Sequence, residues 1–191
     1  MTRRVGRMAR YAAFLRGINI GNRRVKNDAL RLCCEEMGFA EVAIFRASGN
    51  VILDADGKAK AEEVAARIEA GLADSLGFDV PVFLRSAAQV RAIARHQPFE
   101  QGQLEASAGK AQISLLAKPP GAATRKKVLA LATAEDRLAI RGRELYWLPA
   151  GNMSDSELDL KQIGVLLGPS TMRIKGTIEQ IAAKHFAAKA S

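Results

Sequence analysis

The order of apolar segments in this chain predicts an α+β fold built twice. Three observations carry that expectation. Short apolar runs have strand length, longer stretches carry apolar residues at helical spacing, and one strand–helix–strand–strand–helix–strand order occurs in each half.

In the first half, Tyr11–Leu15 is a short apolar strand. Asn27–Met37 places Leu30, Cys33, Cys34 and Met37 at helical spacing, and Gly38 stops it. Val42–Phe45 is a strand, Ser48-Gly49 a turn and Val51–Leu53 the returning strand. Ala59–Leu76 is a helix striped by Ala61, Val64, Ala65, Ile68 and Leu72, and Gly77 ends it. Val80–Leu84 closes the half as a strand. Pro81 has no N–H for a ladder and marks it as an edge.

The second half opens with a linking helix, Ala87–Arg95, and a long loop from Gln97 to Lys110. Gln112–Leu116 is a strand and Ala122–Thr133 a helix. Leu138–Ile140 and Leu145–Leu148 form a hairpin around Arg141-Gly142-Arg143. Met153 to Glu157 reads as a cap, with acids in the first turn of a helix over Leu158–Leu167. Thr171–Ile174 is a short strand and Thr177–Ala188 a final helix. This order is that of the ferredoxin-like plait. The expectation is two such domains in tandem, residues 9–86 and 87–191, the second with the linking helix and an added C-terminal helix. No sequence repeat joins the halves, so the duplication is one of architecture.

Composition narrows the class. A hydrophobic content of 48% against 26% charged residues supports a buried core and argues against disorder. No apolar run reaches the roughly 18–20 residues of a membrane-spanning helix, and residues 1–8 lack the apolar stretch of a signal peptide. They read as a disordered basic leader or a misplaced start. A cytoplasmic protein without membrane contact is expected. Adjacent Cys33 and Cys34 on one helix cannot pair without strain and read as buried small side chains. His96 and His185 have no metal-ligand spacing, so neither metal nor cofactor is expected. Of the +9 net charge, residues 9–86 contribute nothing and residues 87–191 contribute +6. That bias raises nucleic acid or an acidic small molecule as partner.

Several motifs together resemble one family. The run Leu15-Arg16-Gly17-Ile18-Asn19-Ile20-Gly21 resembles the opening signature of an uncharacterised bacterial family, the domain of unknown function numbered 1697. Gly38-Phe39, Ser48-Gly49-Asn50-Val51, Arg85-Ser86, Gln97-Pro98-Phe99, Thr171-Met172-Arg173 and Thr177 resemble further landmarks in family order. The resemblance runs from about Arg10 onward. It implies two ferredoxin-like halves and transfers no mechanism. The chain departs from the pattern at Asn22, where the family often has a second glycine, and at Ile174-Lys175-Gly176, where it has Asn, Trp and Asn. Asparagine tolerates left-handed backbone, so the loop survives the first change.

The loop from Arg16 to Lys26 carries the leading site expectation. Gly17 and Gly21 let backbone N–H groups converge on an anion, Asn19 lies between them, and Arg16, Arg23, Arg24 and Lys26 supply charge. The spacing is not that of a Walker loop. The competing reading is a tight turn in which Arg16 pairs with a carboxylate. Ser48, Gly49 and Asn50 are explained by hairpin turn chemistry alone. By topology, Arg16 and Ser48 are expected on opposite sides of the first domain. Arg46, Ser48, Asn50 and Arg85 are expected on one interdomain side, with Thr171, Arg173 and Thr177 meeting them there. No nucleophile–base set, metal spacing or dinucleotide glycine pattern is legible, so enzymatic activity stays undecided. A standard RNA-recognition sheet is disfavoured, because consecutive Tyr146 and Trp147 face opposite sides and allow at most one stacked base. Three functions stay open: binding of an anionic phosphate-bearing ligand, nucleic-acid binding through the basic second half, and protein interaction without catalysis.

Overall fold

The computed structural model describes residues 8–107 and 110–187. They form eight strands, in two four-stranded antiparallel sheets, and seven α-helices. Two compact units result, one of residues 8–90 with 185–187, the other of 91–184.

The first unit comprises β1 (Met8–Leu15), α1 (Asn27–Glu36), β2 (Ala40–Ile44), β3 (Asn50–Asp56), α2 (Ala61–Leu76) and β4 (Val82–Ser86), followed by α3 (Ala87–Arg95). The sheet order is β2-β3-β1-β4. Tyr11, Ala13 and Leu15 of β1 and Val51, Leu53 and Ala55 of β3 alternate onto one face. There they bury the stripes Leu30, Cys33, Cys34 of α1 and Val64, Ile68, Leu72 of α2. Each large apolar side chain so buried contributes about 1.5–3 kcal/mol. Gly77, at φ 74°, ends α2 in the left-handed conformation. β4 is an edge strand, with Pro81 just ahead of it, and its first amide, Val82 N, donates to Glu69 Oε1 at 2.8 Å. Of the leader expected over residues 1–8, Met8 belongs to β1 and the rest lies outside the described residues.

The register overturns the expected placement of the loop and the hairpin. β1 runs antiparallel to β3, pairing Phe14 with Asn50 and Met8 with Asp56. The end of β1 therefore lies beside the start of β3, and so beside the β2–β3 turn. The Arg16 loop and the Ser48 hairpin share one end of the sheet. Arg85 is also displaced from its expected position. β4 pairs Leu15 with Val82 but Ala12 with Arg85, so Arg85 sits toward the other end.

The second unit comprises α4 (Gln101–Ala106), β5 (Gln112–Leu116), α5 (Ala122–Leu129), β6 (Arg137–Arg141), β7 (Glu144–Leu148), α6 (Leu160–Leu167), β8 (Ser170–Ile174) and α7 (Lys175–His185). The order β6-β7-β5-β8 repeats that of the first sheet. Val128, Ile140, Leu145, Trp147, Leu158 and Ile163 form its helix-side core. Three sequence expectations change. The loop over Gln97–Lys110 contains α4, opened by a reciprocal Glu100–Gln103 capping box; residues 108 and 109 of that loop lie outside the described residues. The acids near Met153 form a separate 3₁₀ turn, Met153–Asp155. The cap of α6 is Asp159, whose Oδ1 accepts from Gln162 N at 2.8 Å. The final helix starts at Lys175, directly after β8. Both cysteines are buried, and burial, then Cys33 and Glu35, push the Cys34 thiol up to about 12.

Candidate functional site

Leu15 N donates to Gly49 O at 2.8 Å, and Arg16 N to Pro81 O at 3.0 Å, so β1 hands its chain to the loop between two neighbours. Gly17 (φ 73°) turns the chain out of the strand, and Ile18 drops back into the core at 3% exposure. Asn19 then joins loop to hairpin. Its Nδ2 donates to Ala47 O at 3.0 Å, while its Oδ1 accepts from Val25 N at 2.7 Å. One amide thus fixes both the hairpin and the approach to α1.

The hairpin is built to receive that loop. Asn50 is 1% exposed, and its Nδ2 donates to Phe45 O at 3.0 Å and to Ser48 Oγ at 2.8 Å. Gly49 has φ 68°, and a Cβ there would lie 2.8 Å from Ile18 Cγ2 and 3.1 Å from Leu15 Cβ. Glycine is therefore required at this position by both conformation and space. Arg46 also has a positive φ, 58°, an uncommon conformation for a residue with a side chain.

The loop cations divide by what they touch. Arg24 Nη1 donates to Gly21 O at 3.0 Å and Arg23 O at 2.7 Å, so it folds onto its own loop. Gly21 (φ 57°) shapes that turn. Asn22 needs no left-handed backbone, since the described non-glycine residues with positive φ are Glu41 and Arg46. The Arg23 guanidinium stacks over Phe78, 4.1 Å from the ring centroid. Arg46 is exposed beside the Phe45 ring. Arg16 and Lys26 are exposed, and among the described residues neither side chain has a hydrogen bond or ion pair. The expected alternative, Arg16 paired with a carboxylate, is not what the structure contains. Neither segment, 16–26 nor 46–50, includes an acidic residue.

The other expected site residues are built differently. Arg85 is 1% exposed, and one of its contacts is Nη1 to Leu84 O at 3.0 Å. In the second unit, Thr171 is 6% exposed and its Oγ1 accepts from Arg173 Nη1 at 2.9 Å; the same nitrogen donates to Met172 O at 2.8 Å. Burial lowers the Arg173 pKa to about 10, so it is still a cation at neutral pH. Thr177 is half-buried on α7. Tyr146 and Trp147 are 2% and 1% exposed, so neither offers a ring for stacking. Among the described residues no group of three metal-ligating side chains converges, and no helix is long and apolar enough to cross a membrane.

Against this geometry, a family model described as "Protein of unknown function (DUF1697)" matches residues 8–146. The chain belongs to this family. The matched stretch contains the Arg16 loop, the hairpin and Arg85, and it stops before the Thr171–Thr177 signature. The chain is also similar in fold to the solved structure of the conserved bacterial protein SP0830 from Streptococcus pneumoniae. The two share 20% identity with a TM-score of 0.74, over 93% of this chain and 98% of that one. No curated protein matches. Sequence reasoning had missed the Ala47 carbonyl and the bridging role of Asn19; the position of Asn19 within the signature was the available signal.

Proposed function

We propose that the junction of the Arg16 loop and the Ser48 hairpin binds an anionic, phosphate-bearing ligand in a DUF1697 protein whose two units are ferredoxin-like plaits. One observation carries the proposal. Two signature segments meet at one sheet end, and Arg16 and Lys26 there are exposed cations whose side chains have no hydrogen bond or ion pair among the described residues. Gly17, Asn19, Gly49 and Asn50 build the junction. The Arg16 side chain has no partner among the described residues and is exposed where β1 meets the hairpin, and the segments 16–26 and 46–50, which also carry Lys26, Arg46 and Ser48, hold no acidic residue. Guanidinium groups favour phosphate, because they offer paired donors in a fixed plane. The plait reading is supported by the element order and by the matching sheet orders β2-β3-β1-β4 and β6-β7-β5-β8. Buried Tyr146 and Trp147 give a nucleic-acid reading no stacking surface.

The test is thermal unfolding of the full chain with sodium pyrophosphate, against sodium chloride at matched ionic strength. Pyrophosphate is expected to raise the midpoint beyond the chloride control. The double variant Arg16→Ala, Arg46→Ala is expected to weaken its affinity by about tenfold or more, the equivalent of about 1.4 kcal/mol. Equal stabilisation of wild type and double variant removes the site. Duplex DNA or single-stranded RNA binding with a steep salt slope, unaltered in the double variant, replaces it with the basic-surface reading.

A further inference from the structure

α2 ends at Gly77, and residues 78–81 carry the chain from there into β4. Both ends of this short segment are tied to the Arg16 loop. Arg16 N donates to Pro81 O at 3.0 Å. The Arg23 guanidinium lies over the Phe78 ring, 4.1 Å from its centroid. β1 lies between β3 and β4, so Arg16, which follows β1, has the Ser48 hairpin on one flank and this segment on the other.

Arg23 is held here as a flat cation. Phe78 packs against the first core, which fixes its ring under the guanidinium. Arg23 is exposed, and its guanidinium has no hydrogen bond or ion pair among the described residues. The side turned away from Phe78 is left to solvent, and aromatic bases stack on arginine planes of this kind. Asp79, next in the chain, is also exposed, and its carboxylate has no partner among the described residues. A free carboxylate opposes a bare anion, but it accepts hydrogen bonds from hydroxyl groups. Asp79 and Pro81 further line an open hollow of about 390 Å³, walled by the small side chains Ala66, Ala70 and Ala73 of α2. The other carboxylate there, Glu69, is engaged by Val82 N at 2.8 Å.

We propose that the ligand of the anion site argued above, on which this reading rests, is a mononucleotide, with its phosphate at Arg16, its ribose hydroxyls at Asp79 and its base on the Arg23 plane. Along the segment the anchors follow the order of the ligand's own parts: Pro81 holds Arg16, Asp79 comes next, and Phe78 carries Arg23. Four extended residues span at most about 10 Å, a length that a nucleoside diphosphate covers. The hollow beside Asp79 gives the ribose room. One plane serves one base, whereas a bound strand stacks successive bases on several.

The experiment is isothermal titration calorimetry of the full chain with ADP and with sodium pyrophosphate at matched ionic strength. ADP is expected to bind at least tenfold more tightly than pyrophosphate. Arg23→Lys keeps the charge and removes the plane, so ADP is expected to weaken about tenfold while pyrophosphate stays within about twofold. Asp79→Ala removes a hydroxyl acceptor and a negative charge, so ADP is expected to weaken about fivefold while pyrophosphate holds or tightens. Pyrophosphate binding without a preference for ADP overturns the nucleotide and leaves the anion site standing. An ADP-to-pyrophosphate ratio unaltered in Arg23→Lys overturns it as well. Failure of both compounds to bind removes the anion site, and the nucleotide with it.

Discussion

Gly49→Ala tests whether the hairpin and the Arg16 loop are locked together. Two costs add at this position. The backbone sits at φ 68°, where a Cβ costs about 1–2 kcal/mol. The new carbon would also lie 2.8 Å from Ile18 Cγ2 and 3.1 Å from Leu15 Cβ, and these side chains are 3% and 2% exposed. They have no room to retreat, and overpacking of this kind costs about 1–3 kcal/mol. The expected loss is therefore about 2–5 kcal/mol. Gly21→Ala separates the two terms. Its φ is 57°, but nothing lies within 4 Å of the added carbon, so only the conformational cost of about 1–2 kcal/mol applies. Urea unfolding followed by far-UV circular dichroism gives both values. Trp147 fluorescence follows the second unit in the same samples and is expected to keep its midpoint. If Gly49→Ala costs no more than Gly21→Ala, the packing of Ile18 against the hairpin is not as described, and the junction loses its structural basis.

Three further outcomes are expected. Asp136→Ala leaves the Trp147 N–H and the Ser156 hydroxyl without their acceptor at a 3% exposed position, and should cost about 2–4 kcal/mol in denaturant midpoint with a shifted Trp147 emission. Cys34, with its thiol pushed up to about 12, should react with iodoacetamide about a thousandfold more slowly in the native protein than in urea at pH 8; comparable rates would show that it is not buried as described. His96 titrates below its ordinary value of about 6.5 because of burial, then Arg141 and Lys175, with Glu144 opposing. A depressed histidine binds fewer protons folded than unfolded, so its contribution is present above about pH 6.5 and lost as pH falls toward the folded value. Urea midpoints should decline over that interval, and His96→Gln should flatten the decline.

The elements were legible because their spacing is strict. Leu30, Cys33 and Cys34, or Val64, Ile68 and Leu72, repeat at helical spacing, and each set is buried against a sheet. α4 was not legible, because a six-residue helix with Gly102 inside it has no apolar stripe. The glycines of the site were readable, since left-handed turns need them. The meeting of loop and hairpin was not, because it follows from the antiparallel register rather than from either segment. Arg85 and Arg173 were read as cleft cations, since arginine is seldom buried. Arg85 is instead buried and Arg173 half-buried, and each bonds nearby carbonyl or hydroxyl oxygens, a tertiary outcome that composition does not encode.

The signatures thus do two kinds of work, and stability separates them from binding. Arg173 donates to Thr171 and Met172, which carry dipoles rather than a full negative charge, so burial still depresses its pKa. Removing its head group strips the donor from buried Thr171 and from the Met172 carbonyl, so Arg173 variants are expected to act through the fold. Asn19 is similar, because its amide ties Ala47 to Val25 and its loss loosens the junction itself. Arg16 is the counterexample. Its backbone N–H is held by Pro81 O at 3.0 Å whatever the side chain, and its guanidinium supports nothing among the described residues. An arginine held in place through its backbone and left open through its side chain fits the anion site proposed above. Arg16→Ala should therefore leave the unfolding midpoint within about 0.5 kcal/mol, the usual range for a surface change, while pyrophosphate binding falls. A variant that lost stability and binding in proportion would make Arg16 one more structural residue.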